Sequence, residues 1–128
     1  MTVRSEVEGK LAQYAATKGI PVAYENVSFT KPTSGNWIEI YFLSNNSVLP
    51  ELSASRRREY GMIQINVYGK PGVGMGAITT QVNEVVALFP VVPKAGVTSI
   101  EAPPSVGRAM QDGEFIFVPI TVQYRAEF

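Results

Sequence analysis

The chain has 128 residues, of which 45% are hydrophobic and 17% charged, and its 11 basic and 11 acidic residues cancel. This length and composition predict a single globular domain spanning residues 1–128. The absence of cysteine excludes disulfides and thiolate nucleophiles, and the absence of histidine removes the commonest general base and metal ligand. Zero net charge predicts no general attraction to nucleic acid or to an acidic membrane. We expect no metal and no cofactor.

The sequence also predicts a chain that stays out of the membrane. It has no apolar run of about 18 residues. Its start, MTVRSEVEGKLAQ, lacks the basic and then apolar plan of a signal peptide. We therefore expect a soluble protein made in the cytosol.

The first predicted elements are a helix and a short strand. Apolar residues recur at helical spacing near the N terminus: Val3, Val7, Leu11 and Tyr14. This pattern predicts a helix over residues 2–18, capped by Thr2 and ended by Gly19. A short strand over residues 22–26 and a polar loop over residues 28–35 follow.

Two long strands and an irregular segment come next. Residues 37–43, WIEIYFL, and residues 60–68, YGMIQINVY, alternate between two faces, as antiparallel strands do. On these two strands, the face opposite the aliphatic residues carries both apolar and polar side chains rather than polar ones alone. Between the strands, Ser44–Glu59 is predicted as a loop of about 15 residues, a length that is usually functional or mobile.

A glycine-rich turn, a second helix and two more strands complete the chain. The second helix is predicted over residues 76–88, before Pro90. A short strand is predicted over residues 97–102 and a long one over residues 114–124. Pro119 cannot donate a ladder hydrogen bond, which predicts an edge position or a bulge for that last strand.

The order α-β-β-β-α-β-β predicts an α+β fold. Its sheet is expected to be mostly antiparallel with four to five strands, and the two helices are expected to pack on one face.

The glycine-rich turn carries a match to a nucleotide-binding pattern. Gly72, Gly74 and Ala77 fit G-x-G-x-x-A, and Glu101 lies at about the spacing of a ribose-binding carboxylate. In a dinucleotide site, however, the preceding strand is buried on both faces, whereas this one carries Gln64 and Asn66. We interpret the turn as a reversal from strand to helix.

Two groups of residues are candidates for contacts with partners. Arg56, Arg57 and Arg58 form either a solvated loop or a positive patch for an acidic partner or a nucleic acid backbone. Trp37, Tyr41 and Tyr68, with Leu43 and Met62, lie on the second face of the predicted sheet. Because interfaces are enriched in Tyr, Trp and Met, that face predicts self-association or partner docking, with coverage by a helix as the alternative.

The remaining carboxylates are scattered, with no cluster that indicates a metal. Glu39, on a strand, could be half of an acid/base pair, but the sequence names no partner for it. Most of these groups are expected to be solvated or ion-paired.

With these segments in view, the chain resembles small tail proteins of tailed bacteriophages. The resemblance rests on segment order and on the phrases AYEN at residues 23–26 and QINVY at residues 64–68, followed by glycines. It is to the tail terminator, or tail completion, family that includes the lambda minor tail protein U, and to a related phage-associated family of unknown function.

This resemblance implies a structural virion protein without catalytic residues. It implies a homo-oligomeric ring, typically a hexamer, that caps the tail tube and meets neck or head-completion proteins, with DNA only as passing cargo. Another neck protein or a tail tube subunit is the alternative, although two helices argue mildly against a tube. A small nucleotide-binding enzyme using the glycine turn is the alternative from another class.

Overall fold

The computed structural model describes residues 3–25, 27, 29–30, 36–48, 58–69, 75–95, 98–100, 102–113 and 115–127. Within these ranges no helix has the length and apolar character needed to cross a membrane.

Two helices and eight strands make up the described structure. In chain order they are α1 Val3–Lys18, β1 Val22–Ala23, β2 Trp37–Val48, β3 Arg58–Gly69, α2 Gly76–Ala87, β4 Val92–Ala95, β5 Thr98–Ile100, β6 Ser105–Val106, β7 Met110–Asp112 and β8 Phe115–Glu127.

Helix α1 ends at the predicted residue. Gly19 has a φ of 68°, the left-handed conformation that glycine adopts without a steric penalty. The amide of Ile20 donates to the carbonyl of Ala15 over 2.9 Å, which is the long-range bond of a Schellman motif. The predicted cap at Thr2 lies outside the described residues.

The sheet has the order β1-β2-β3-β8-β5-β4, and β6 and β7 also pair with β8. Among the strands that the structure describes, only β1 and β2 pair in parallel. The long strands β2, β3 and β8 are antiparallel neighbours and form the centre of the sheet. The predicted fold class is therefore confirmed, and the sheet gains further short strands from segments predicted to be connectors.

The core lies between the helices and one face of the three long strands. Rows of aliphatic residues cross the strands in register: Ile38, Val67 and Val118; then Ile40, Ile65 and Ile120. Both helices contribute buried residues to this core: Val7, Leu11, Ile78, Val82 and Val85. The alternating pattern of the strands and the helical spacing of the apolar residues thus meet in one hydrophobic layer.

The two long strands of the predicted hairpin extend further than predicted. Strand β2 continues to Val48 and β3 begins at Arg58, so part of the predicted Ser44–Glu59 loop is paired sheet. The register shifts between Phe42 and Asn45, which is a bulge or irregularity. The polar residues of this stretch give no alternating pattern, so the sequence predicts a loop where the backbones pair.

The prediction that Pro119 places the last strand at an edge is wrong, but its alternative, an irregularity at Pro119, agrees with the outer pairing of β8, whose register shifts by one residue between Val106↔Ile120 and Met110↔Phe117. Strand β8 is paired on both sides, and its register with β3 is continuous through Asn66 and Pro119. The Pro119 carbonyl accepts from the Gly107 amide over 2.9 Å, on the side of β8 away from β3. Because the nitrogen and the carbonyl of one residue in an antiparallel strand point to the same side, the Pro119 nitrogen also faces away from β3. Pairing on that outer side is interrupted between β6 and β7, so no ladder bond is lost.

Candidate assembly surface

The face of the sheet opposite the helices is divided into two parts. At one end, where β2 begins and β3 ends, three aromatic rings stack across the long strands. The rings of Trp37 and Tyr68 lie 4.0 Å apart at 10°, and those of Tyr68 and Phe117 lie 5.0 Å apart at 26°. Phe29 and Phe115 contact the Trp37 ring at centroid distances of 5.3 and 5.7 Å. We call this group the aromatic cluster.

Burial separates the three aromatic residues that the sequence places at an interface. Trp37 is 0% exposed and Tyr68 is 4% exposed, whereas Tyr41 is 37% exposed. Neither a helix nor a second chain is needed to cover the first two, because phenylalanines of the same chain pack on them. Sequence reasoning missed this coverage, although strand alternation places Phe117 on the same face as Tyr68.

A carboxylate at the border of the aromatic cluster binds two phenol groups. The Tyr41 hydroxyl donates to Glu39 Oε1 over 2.6 Å, and the Tyr68 hydroxyl donates to the same oxygen over 3.1 Å. The Tyr68 hydroxyl also lies 3.4 Å from Asp112 Oδ2. Glu39 thus has tyrosine partners that its sequence position did not reveal.

These contacts keep both phenols protonated. The hydrogen bond to Glu39, together with burial, raises the pKa of Tyr41 to about 12. Burial, and then the charge of Glu39, raises the pKa of Tyr68 above its ordinary value. Both residues therefore stay neutral hydrogen-bond donors to a higher pH than an ordinary tyrosine, whose pKa is about 10.

The other part of this face exposes apolar side chains. Tyr41, Leu43 and Tyr60 are 37%, 39% and 38% exposed, and Met62 beside them is partly buried. We call these four residues the open patch. A cluster of exposed Tyr, Leu and Met on a sheet face is typical of a protein contact surface.

The outer edge of β2 adjoins the open patch. Strand β1 pairs only with Ile38 and Glu39, and no described strand pairs with the outer edge of β2 beyond them. The Phe42 amide donates to Glu25 Oε1 over 2.7 Å, and the Arg4 guanidinium holds that carboxylate at 3.2 Å. A side chain thus occupies one of the edge donors that another strand would otherwise use.

Arg58, the last residue of the predicted basic triplet, lies at the far end of the sheet. Arg58 opens β3 and pairs with Val48 of β2 and Glu127 of β8. We call this the distal end, and the end with the aromatic cluster the proximal end. Arg56 and Arg57 lie outside the described residues.

The strands beside the glycine turn are not arranged as in a dinucleotide-binding site. Gly72 and Gly74 lie outside the described residues, but the turn does join β3 to α2 as predicted. Strand β3 is antiparallel to both of its neighbours, whereas the dinucleotide fingerprint follows a strand of a parallel sheet. Among the described residues, no group of three or more Asp and Glu side chains could hold a metal ion.

Comparisons with solved structures show that other proteins share this fold. One solved structure, whose name carries no function, has 27% identity and a TM-score of 0.78, covering 98% of this chain and 94% of that chain. A chain of the virion of a native gene transfer agent particle shares the fold, with 14% identity, a TM-score of 0.62 and coverage of 95% and 92%. No curated protein matches in sequence.

The family comparison is more specific. The phage tail terminator protein family matches residues 2–124. Members of that family are structural proteins located in the virion tail, which agrees with the resemblance seen in the sequence. The chain therefore belongs to the phage tail terminator protein family.

Proposed function

We propose that this protein forms a ring at the head-proximal end of the phage tail, where it stops growth of the tail tube and presents a surface for head–tail joining. The observation that carries this proposal is the family match over residues 2–124. In this role the chain acts as one domain spanning residues 1–128, without catalysis and without a cofactor. A hexamer is the ring size we propose.

The open patch and the β2 edge supply the surface for subunit contacts. An edge strand offers backbone donors and acceptors to a neighbouring chain, and the open patch offers apolar area beside them. In a ring, each subunit contacts the next subunit through one surface and the previous subunit through a different surface. This sheet, with different strands at its two edges, is suited to such a contact.

The six candidate residues have different parts in this proposal. Tyr41 contacts a neighbour directly, because it is exposed beside the β2 edge. Trp37 and Tyr68 support that contact from inside the subunit by fixing the sheet beneath it. Arg56, Arg57 and Arg58 supply positive charge at a contact with a subunit, the tube or the neck.

The partners follow from the position of the ring. One face of the ring binds the last ring of the tail tube protein, and the other binds neck or head-completion proteins. DNA passes through the ring as cargo, which needs no site specific for bases. No contact with a membrane is proposed.

Electron microscopy of a phage that lacks this gene tests the proposal. We expect tails of abnormal and variable length, few joined heads, and rescue of both defects by the wild-type gene. Purified protein is expected to form rings at high concentration or when mixed with tail tubes. Tails of normal length without the gene, together with no ring under either condition, would contradict the proposal.

A further inference from the structure

Arg108 differs from the other cationic side chains that the structure describes. Arg4 and Lys18 form ion pairs, and Lys10 donates to a backbone carbonyl. Arg125 also has a partner. Arg108 is exposed, and no ion pair or hydrogen bond joins it to another described residue, Asp112 of the same segment included. Its charge is therefore available to a second molecule.

Arg108 lies in a segment that is fixed to the sheet but exposed along its whole length. Residues 105–112, which we call the outer segment, pair with β8 through β6 and β7, and no described strand pairs with their other side. Between these strands the Gly107 amide donates to the Pro119 carbonyl, and a Cβ at Gly107 would lie 2.8 Å from Pro119 Cγ. Every residue of the segment is exposed, including Val106 at 51% and Met110 at 44%. The outer segment thus presents a cation and apolar side chains on a backbone held against β8.

The other side of the sheet carries a carboxylate that can accept a cation. Glu39 Oε1 accepts from the hydroxyls of Tyr41 and Tyr68, whereas no hydrogen bond or ion pair among the described residues involves Glu39 Oε2. A carboxylate has about four acceptor sites, so two tyrosines do not saturate it. The neighbouring Tyr41 and Leu43 are exposed and extend from Glu39 toward the distal end. This surface is complementary to the outer segment, with apolar area beside a charge of the opposite sign.

Arg108 and Glu39 lie at one level on opposite sides of the sheet. Glu39 pairs with Asn66, and Asn66 pairs with Pro119. Gly107, which precedes Arg108, lies beside Pro119 on the outer side of β8. At about 4.8 Å per strand, the Cα atoms of Glu39 and Gly107 are roughly 14 Å apart. A contact between the two charges of different subunits therefore joins their sheets side by side, with little displacement along the strands.

We propose that Arg108 of one subunit pairs with Glu39 of a second copy of this chain, and that the outer segment covers the exposed Tyr41 and Leu43 of that copy. This inference rests on the proposed ring and names the two surfaces that meet in it. The surfaces are different parts of one subunit, so the contact is head-to-tail, as a closed ring requires. The apolar side chains of the outer segment supply buried area around the charge pair.

Charge reversal at each residue tests the contact. The variant R108E places a like charge beside Glu39 of the next subunit, and E39R places a like charge beside Arg108. Each variant alone is expected to weaken ring assembly at least about tenfold, because like charges then face each other. The double variant R108E/E39R restores opposite charges at every contact and should assemble to within about threefold of wild type. Sedimentation velocity measures assembly, or tail length where rings form only on tubes.

An equal mixture of R108E and E39R distinguishes contact between subunits from effects inside one subunit. In an alternating ring of the two variants, every contact joins opposite charges, although neither chain carries a compensating change. We expect the mixture to recover assembly to within about threefold of wild type. Raising the salt concentration should weaken wild-type assembly, because salt screens a charge pair near the surface.

Two controls separate the contact from loss of folding. K10E makes the same change in charge as R108E, but on the helix side of the subunit, and is expected to assemble like wild type. Circular dichroism checks that every variant is folded. Where E39R does not fold, E39Q replaces it, because its amide oxygen still accepts from the tyrosine hydroxyls. R108E/E39Q should then assemble at least about threefold better than R108E, since the repulsion is removed.

Two results would overturn the docking contact. R108E and E39R could both assemble like wild type, or neither the mixture nor the double variants could recover assembly while each chain remains folded. In either case wild-type rings and normal tail length would leave the proposed function intact. Wild-type protein that gives neither rings nor control of tail length would instead refute the proposed function, and the docking contact with it.

Discussion

Replacing Trp37 by alanine is expected to destabilise the subunit itself. Trp37 is fully buried, and its ring contacts Phe29, Tyr68 and Phe115 at centroid distances of 5.3, 4.0 and 5.7 Å. Truncating a buried Trp costs about 3 to 5 kcal/mol of the free energy of unfolding, from lost burial and from the cavity that remains. With a urea m value of about 2 kcal/mol per molar, the midpoint would fall by roughly 2 M.

Urea unfolding of the monomer measures this effect, and Tyr41→Ala is the matched control. Tyr41 lies on the same face of β2 but is 37% exposed, so its truncation should cost about 1 kcal/mol or less. The Tyr41 variant should lose ring assembly while remaining stable. A Trp37→Ala subunit of wild-type stability that no longer assembles would refute this reasoning and make Trp37 an interface residue.

Three further predictions concern other contacts. Gly61→Ala should lower the free energy of unfolding by about 1 to 3 kcal/mol, because its Cβ would lie 2.5 Å from the Tyr124 hydroxyl oxygen. Gly9→Ala, whose Cβ would have nothing within 4 Å, should raise the free energy of unfolding by up to about 1 kcal/mol. Thermal unfolding of both variants tests this difference, and equal effects would contradict it. Glu25→Ala should increase self-association in sedimentation velocity, since it frees an edge amide of β2, and unchanged association would contradict that role. Because its pKa is raised in the folded state, the neutral Tyr41 phenol contributes stability that is complete below about pH 10 and is lost as the pH rises through about 12. Tyr41→Phe should therefore reduce the fall in stability at alkaline pH, and an unchanged pH profile would contradict this.

The sequence predicted the elements that rest on local patterns. Gly19 ended α1 at the expected position, because a left-handed residue stops a helix wherever it occurs. Alternation of Ile and Val correctly assigned the helix side of β2, β3 and β8. By contrast, the strand beyond Leu43, which carries polar residues, was predicted as loop, because backbone pairing with Arg58–Gly61 leaves no periodic signal.

The aromatic residues show the limit of the same reasoning. Alternation placed Trp37, Tyr41 and Tyr68 on one face, but it could not state which of them other segments of the chain would cover. Coverage comes from Phe29 and Phe115, whose contact with Trp37 depends on how distant segments fold together. The interface role of Tyr41 and of the basic triplet stays a prediction.

The sequence by itself determined the helices, the alternating strands, the fold class and the family, because these follow from spacing and from local residue preferences. Only the tertiary structure decided which side of the sheet is open. It also decided that Pro119 lies in a strand paired on both sides and that Glu39 binds two tyrosines. Each of these depends on distances between residues remote in the chain, which are set when the strands pair and the core packs.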